Sequence, residues 1–196
     1  MIINFLLLLS QNDRERVFLS FPRTLSFSSQ TVGNIFSVDI LLDTQAAGTD
    51  GADIRYLNFN PALLEVQDDN LDVVGVQIAP GILMMNTLAN STDNVAGRIS
   101  FSQIPGFGST FAGNGILATV RFKALAVGAA SVNFDFISGA TNDTNVASAG
   151  VDILTSVANA SYNLVVALPP PDTAPPSAVA DLTALSPTET SIALSW

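Results

Sequence analysis

Carboxylates are the side chains best placed to do chemistry in this sequence, because it contains neither Cys nor His. Two acidic loop segments, DTQAAGTDGAD (43–53) and QDDNLD (67–72), offer oxygen ligands of the kind that Ca²⁺ prefers. The candidate calcium ligands are Asp43, Asp50, Asp53, Asp68, Asp69 and Asp72, with Asp143 as a distant contributor. Neither segment has EF-hand spacing, and Asp also favours loops because it satisfies turns. The sequence therefore favours no cofactor and leaves Ca²⁺ as the alternative.

Catalysis finds little support in the remaining residues. Without Cys and His there can be no disulfide, thiolate zinc site or histidine-based triad. Glycoside hydrolysis needs two carboxylates facing each other across a cleft, whereas Asp39 and Asp43 are four residues apart and fall on one side of a strand. Lys123 is the only lysine, and no serine is marked as its partner. We predict a protein that is not an enzyme.

The charge balance restricts the class of partner. Seventeen acidic residues against seven basic ones give a net charge of −10, which repels phosphate backbones and disfavours nucleic acid. The longest apolar block, residues 2–9, is interrupted by Asn4 and is far shorter than the roughly 20 residues of a spanning helix. We expect no membrane insertion of the folded domain.

A period-two alternation of apolar and polar residues runs through most of the chain and predicts half-buried strands. It is clearest in 35–43, 98–103, 116–124, 130–136 and 161–166. Turns rich in Gly, Asn and Asp separate these runs, which indicates an all-β antiparallel sandwich with a single helical turn at 61–64. In the hairpin 113–134 the predicted core residues are Ile116, Val120, Phe122, Val132 and Phe134.

The segment ADIRYLNFN (52–60) breaks this alternation. Ala52, Ile54 and Tyr56 share one face, whereas Leu57 and Phe59 fall on the other, which predicts a β-bulge near Tyr56 and Leu57. The polar positions of this strand and of 98–103 would form a mixed-charge surface suited to a protein partner. Those candidate partner-binding residues are Asp53, Arg55, Asn58, Arg98, Ser100 and Ser102. An ordinary solvated sheet face is the open alternative.

Polysaccharide binding would need exposed aromatic rings that stack on sugars. The candidates are Tyr56, Tyr162 and the two phenylalanines of the glycine-rich loop, Phe107 and Phe111. We expect Phe107 and Phe111 to fold back over the end of the core, as loop phenylalanines commonly do. Direct polysaccharide binding is therefore the second choice.

The two ends of the chain differ from its body. Residues 1–23 lack an early basic residue and a small-residue cleavage site, so we read them as upstream sequence or as a degenerate signal. Residues 168–176 are a Pro-rich, extended linker. Residues 177–196 resemble the start of a fibronectin type III domain, with Val179 and Leu182 in its first strand and SIALSW, ending at Trp196, in its second. Only two of the roughly seven strands of such a domain are present.

The body of the chain, residues 24–167, resembles a cohesin domain. The resemblance is carried by TVGNIFSVDILLDT (31–44), NFNPALLEV (58–66), GRISFSQI (97–104) and GNGILATVRFKALAVGAASVNF (113–134). Asn60 stands where the family usually has Asp. It is the order and spacing of these pieces together that makes the match.

The resemblance implies a jelly-roll sandwich of about nine strands, a fold shared with some cellulose-binding modules. Cohesins are non-catalytic and grip a dockerin module of another protein through one flat sheet face. They thereby assemble polysaccharide-degrading enzymes or cell-surface complexes. For this chain it implies a binding module of an exported multidomain protein, extracellular or on the cell surface, with a dockerin-like partner. A polysaccharide ligand or a structural spacer are the alternatives.

Overall fold

The structure, a computed structural model, describes residues 4–9, 28–168, 173, 183–185 and 193–195. Within these ranges the regular secondary structure is all β, as predicted, and no helix is long and apolar enough to cross a membrane. The strands are β1 Asn4–Leu9, β2 Ser28–Thr31, β3 Ile35–Asp43, β4 Gly51–Phe59, β5 Leu64–Val66, β6 Ala79–Pro80, β7 Asn86–Asp93, β8 Arg98–Ile104, β9 Asn114–Ala124, β10 Gly128–Phe134, β11 Asn145–Ser148, β12 Val151–Asp152, β13 Ser156–Ala158, β14 Ala160–Val165, β15 Thr183–Leu185 and β16 Ala193–Ser195.

Two sheets form the sandwich. Sheet A has the strand order β13-β1-β3-β9-β5, with β6 also paired to β9. Its centre is the long antiparallel pair β3 and β9, in which Ile35 lies opposite Lys123 and Asp43 lies opposite Asn114. β1 pairs with β3 along its six residues, so sheet A includes part of residues 1–23, which were predicted to lie outside the sandwich.

Sheet B has the order β12-β11-β4-β10-β14-β2, and β8 lies on the other side of β4 with β7 beyond it. β4 is thus central, because it pairs with β8 along one edge and with both β10 and β11 along the other. The strand that was predicted to carry half of the partner-binding residues therefore lies inside the sheet rather than at its margin.

The core lies between the sheets, and its inward side chains are the ones that the alternation predicts. On β3 the buried residues are Phe36, Val38, Ile40 and Leu42. A chain of aromatic contacts crosses the sandwich, from Tyr162 to Phe36 (5.2 Å between ring centroids), to Phe122 (6.0 Å) and to Phe59 (5.4 Å). Because Phe36 and Phe122 belong to sheet A and the other two to sheet B, these contacts fix the two sheets against each other.

One predicted core residue is wrong. Ile116 is 36% exposed, whereas its neighbour Leu117 is fully buried. The cause is a register shift in the β3–β9 pair: Ile40 lies opposite Ala118 and Leu41 opposite Ile116, which leaves Leu117 as an extra residue. This bulge reverses the inside and outside of β9 before Ala118. The other four predicted core residues of the hairpin are buried.

Residues near the carboxyl end form a small separate hairpin. β15 and β16 pair antiparallel, with Ala184 opposite Leu194. The remaining residues on which the fibronectin type III resemblance depends, including Val179, Leu182 and Trp196, lie outside the described residues. That assignment, and the Pro-rich linker before it, stay predictions.

Two asparagine side chains close the side of the sandwich next to β7. Asn90 accepts a hydrogen bond from Ile78 N (3.0 Å) and donates one to Ile78 O (2.8 Å). Asn94 does the same for Val66 of sheet A, at 2.9 Å in both directions. Each amide therefore satisfies backbone groups that strand pairing leaves open, and the second one joins the β7–β8 turn to the edge of sheet A.

We predict that Asn90→Ala lowers the free energy of unfolding by about 2 kcal/mol, because Ile78 is only 1% exposed and its N–H and C=O lose their partners. Denaturant unfolding measures this change. Asn86→Ala is the matched control, since Asn86 is exposed on the same strand and its amide makes no hydrogen bond with the described residues. Equal effects of the two substitutions would contradict this role of Asn90.

We predict that Tyr162→Phe raises the free energy of unfolding by about 1 kcal/mol at pH 7. Tyr162 is 3% exposed and its hydroxyl has no hydrogen-bond partner among the described residues, so the substitution removes an unsatisfied buried group. Burial also raises the pKa of Tyr162 above its ordinary value. The unfolded chain therefore loses this proton first, and the stability of the wild type falls above about pH 10.

Denaturant titrations at pH 7 and pH 11 test both statements. The advantage of the Phe variant is expected to widen at the higher pH. Tyr56→Phe is the control, because Tyr56 is half-buried on the sheet surface. Its hydroxyl is not a buried group without a hydrogen-bond partner, so its removal is expected to give no such gain. A Tyr162→Phe variant that is less stable than the wild type at both pH values would refute the prediction.

Candidate partner-binding face

The six predicted partner-binding residues lie on one surface, the outward side of the β4–β8 pair. Asp53 lies directly opposite Ser102, and Asn58 lies directly opposite Arg98. On β8 the alternating residues Ile99, Phe101 and Gln103 are buried, which turns Arg98, Ser100 and Ser102 to the outside. The orientation that the sequence left uncertain is therefore the outward one for all six. Their role in binding a partner stays a prediction.

The predicted bulge in β4 is present, and it determines which side chains reach this surface. The register with β8 shifts between Ile54 and Leu57, both of which are buried. Arg55 and Tyr56 lie between these two inward residues, so both project outward as consecutive residues. Ser100 of β8 donates its hydroxyl to Arg55 O at 2.7 Å, which satisfies a carbonyl within the irregular stretch of the β4–β8 pair.

The guanidinium groups of two arginines lie near the ring of Tyr56. The guanidinium carbon of Arg55 lies 5.6 Å from the ring centroid, and that of Arg98 lies 5.0 Å from it. Both distances are within the range of cation–π attraction. Tyr56 was considered in the sequence only as a sugar-stacking ring, and its pairing with two arginines required the bulge and the β4–β8 register together.

Neighbouring strands continue this surface with small polar residues. On β7, Ser91 lies opposite Ser100 and Asp93 opposite Arg98, while on β10 Asn133 lies opposite Asn58. We call the outward side of β7, β8, β4 and β10 the polar face. Sequence reasoning missed its β7 and β10 members, although the outward positions of β10 were already visible in the alternation of 130–136.

At one end of the polar face, Asp53 and Arg55 interact electrostatically. Burial raises the pKa of the Asp53 carboxyl, and the positive charge of Arg55 offsets part of that rise. Asp93 lies opposite Arg98, and the half-buried Asp135 donates its backbone N–H to Tyr56 O. The face therefore mixes both signs of charge with Ser and Asn side chains, a composition typical of the polar part of a protein–protein interface.

Three carboxylates of the acidic loop segments accept hydrogen bonds from backbone N–H groups. Asp43 accepts from Gln45 N at 2.9 Å, Asp50 accepts from Ala149 N, and Asp68 accepts from Asn70 N and Gln77 N at 3.1 and 3.0 Å. These backbone bonds lower the pKa of Asp68. Within the described ranges no three acidic residues group closely enough to hold a metal ion. The six candidate ligands Asp43, Asp50, Asp53, Asp68, Asp69 and Asp72 are therefore not brought together as a calcium site.

The aromatic candidates for sugar stacking are also scattered. Tyr162 is buried in the core, and Phe111 packs against the core as expected. Phe107 contradicts the expectation, because it is fully exposed in the loop between β8 and β9. Gly106 and Gly108, which flank it, both have positive φ values (124° and 72°), a conformation that glycine adopts readily. Tyr56 lies on the sheet instead, so these rings do not form one strip.

Comparison with solved structures identifies the architecture. A type II cohesin domain from the cellulosome of Acetivibrio cellulolyticus superposes with a TM-score of 0.59 at 16% identity, covering 83% of this chain and 96% of the other. The seventh ScaB type I cohesin of Pseudobacteroides cellulosolvens gives 0.57 at 17% identity, covering 86% and 95%. The chain has the cohesin fold. No protein-family model and no curated protein sequence matches it.

Some of the similar structures hold a second protein. A type I cohesin–dockerin complex from Clostridium thermocellum matches with a TM-score of 0.54 at 12% identity, covering 84% of this chain and 100% of the other. The jelly-roll sandwich that the cohesin resemblance implied is confirmed by these cohesin folds. The number of strands is higher than the nine expected, since β1–β14 include six segments of four residues or fewer.

We predict that Ser100→Ala lowers the free energy of unfolding by about 1 kcal/mol, because Arg55 O then loses its hydrogen-bond partner at the bulge. Thermal or denaturant unfolding measures the loss, and backbone amide shifts of residues 54–57 report the disturbed bulge. Ser102→Ala is the matched control two residues along the same face, where the hydroxyl makes no hydrogen bond with the described residues. If the two variants were equally stable, the bulge would not depend on Ser100.

Proposed function

We propose that this chain is a non-catalytic attachment module that binds a dockerin-type protein module through the polar face. The observation that supports it most directly is the combination of the cohesin fold with this surface, since a cohesin fold is held by a dockerin in similar solved structures. The polar face supplies directional hydrogen-bond donors and acceptors over four neighbouring strands.

The rigidity of the face also supports attachment. Its residues project from paired strands whose inward side chains are buried, so a partner would meet a preformed surface. A preformed surface loses little conformational entropy on binding, which favours affinity without an enclosed pocket. Glycoside hydrolysis at this face would need two carboxylates opposed across a cleft, whereas Asp53 and Asp93 project from the same side of one sheet.

We further propose that the module belongs to an exported multidomain protein of the kind that assembles polysaccharide-degrading or cell-surface complexes. The sequence features that support this setting are the Pro-rich residues 168–176 and the fibronectin-like residues 177–196. One of the similar cohesins comes from a cellulosome. Because the sequence contains neither His nor Cys, catalysis by a histidine-based triad or a thiolate zinc site is excluded, which also supports a non-catalytic role.

A blocking substitution tests the proposed function. Asn133→Trp places a large side chain on the outward side of β10 beside Asn58, and we expect it to weaken binding of a dockerin-type module by at least 10-fold. Ser37→Trp, on the outward side of β3 in sheet A, is the control and is expected to bind like the wild type. Calorimetry against a panel of dockerin modules measures the binding of both variants. Retention on insoluble cellulose and chitin is measured in parallel by pull-down.

The outcomes separate the alternatives. Retention on polysaccharide without binding of any dockerin would reject the proposal in favour of direct carbohydrate binding. Retention by neither would favour a structural spacer. Unchanged dockerin binding by Asn133→Trp would place the interface on another surface.

A further inference from the structure

Arg55, Tyr56 and Arg98 form a positively charged cluster on the polar face, and Arg55 also interacts electrostatically with Asp53. Arg55 and Arg98 are two of only four basic residues between residues 28 and 168, a range that holds twelve acidic ones. Both approach the same ring, at 5.6 and 5.0 Å from its centroid. Neither guanidinium makes an ion pair with a described residue, although acidic residues are three times as common as basic ones in this part of the chain.

The cluster places two positive charges close together, so another interaction must offset their repulsion. Two guanidinium groups near one ring repel each other, and the cation–π attraction of each is modest at an exposed site. A guanidinium held near an aromatic ring keeps N–H donors that can bind a carboxylate in a bidentate fork. Arg55 and Arg98 are both exposed, so these donors are open to a partner.

The surrounding acids restrict the ligand to an isolated carboxylate. Asp93 lies opposite Arg98 in the sheet, but its carboxylate accepts from Val95 N and Ala96 N at 2.9 Å each. Asp53 borders the other end of the cluster. A polyanion with a charge on every repeating unit would meet these acidic neighbours and be repelled, whereas one acidic side chain between the arginines would not.

We propose that Arg55, Tyr56 and Arg98 form a carboxylate-binding site that receives an Asp or Glu side chain of the protein partner. This inference rests on the proposed function, because it names the chemistry by which the polar face recognises that partner. Tyr56 holds the two guanidiniums at one place, and the bulge of β4 holds Arg55 beside Tyr56 on the outward side.

A small probe tests the site directly. N-acetylglutamate α-amide is titrated into the ¹⁵N-labelled full chain, with N-acetylglutamine α-amide as its neutral counterpart. We expect the acidic probe alone to shift the Nε–Hε resonances of Arg55 and Arg98. Arg121, on the outward side of β9 in sheet A, is the internal control and is expected not to move. Equal shifts of Arg121, or equal shifts by both probes, would overturn the site.

Neutral variants test the site against the partner. Arg55→Gln and Arg98→Gln are each expected to weaken binding of an acidic dockerin-type module by about 10-fold or more, and Arg121→Gln to leave it unchanged. Binding that is lost in Asn133→Trp but kept in both Gln variants would overturn this inference and leave the proposed function standing. Probe binding without any dockerin binding would support the carboxylate site while rejecting the proposed function. Tight binding of polygalacturonate in place of the probe would assign the cluster to an acidic polysaccharide and overturn the inference.

Discussion

The candidate interface depends on one constraint, the need of β4 to bury both Ile54 and Leu57. Strict alternation would put these residues on opposite faces, and one of them would lie in water. The bulge resolves the conflict by adding a residue, and the two residues between them are then forced outward together. The pairing of Arg55 with Tyr56 is therefore a consequence of core packing, and Arg98 reaches the same ring because β8 is held in register beyond the bulge.

The irregular stretch is stabilised from both sides of β4. Ser100 of β8 donates to Arg55 O at 2.7 Å, and Asp135, just after β10, donates its N–H to Tyr56 O at 2.9 Å. Both carbonyls of the outward pair are thus satisfied although the regular ladder is interrupted. An irregularity whose carbonyls are hydrogen-bonded in the middle of a sheet can hold its side chains in one arrangement. Ser100, one of the predicted partner-binding residues on this face, thus also stabilises the bulge.

The sequence predicted strands and their buried faces correctly where the alternation was regular, and also where the apolar residues showed at which point it is interrupted. It predicted the bounds of β3 and the bulge in β4, because in both cases the apolar residues had only one arrangement that buried them. It was wrong at Ile116, because Ile116, Leu117 and Ala118 are all apolar and the pattern does not show which one is the extra residue. The exposed Phe107 was also predicted wrongly, because it lies in a loop between two positive-φ glycines, where no alternation of apolar and polar residues indicates which side chains are buried. The arginine pair required knowledge of which strands are neighbours, and no local pattern contains that.

The charge of the whole chain and the charge of the cluster act at different ranges. A net charge of −10 repels an acidic partner at a distance, and that repulsion is screened over about 8 Å at physiological ionic strength. The two arginines act only on contact, where they bind a carboxylate of the partner in a fixed direction. Such an arrangement favours orientation over speed of encounter, because long-range attraction mainly raises association rates whereas contact pairs mainly slow dissociation. A partner held in this way would be selected by where its carboxylate lies on its surface rather than by its overall charge.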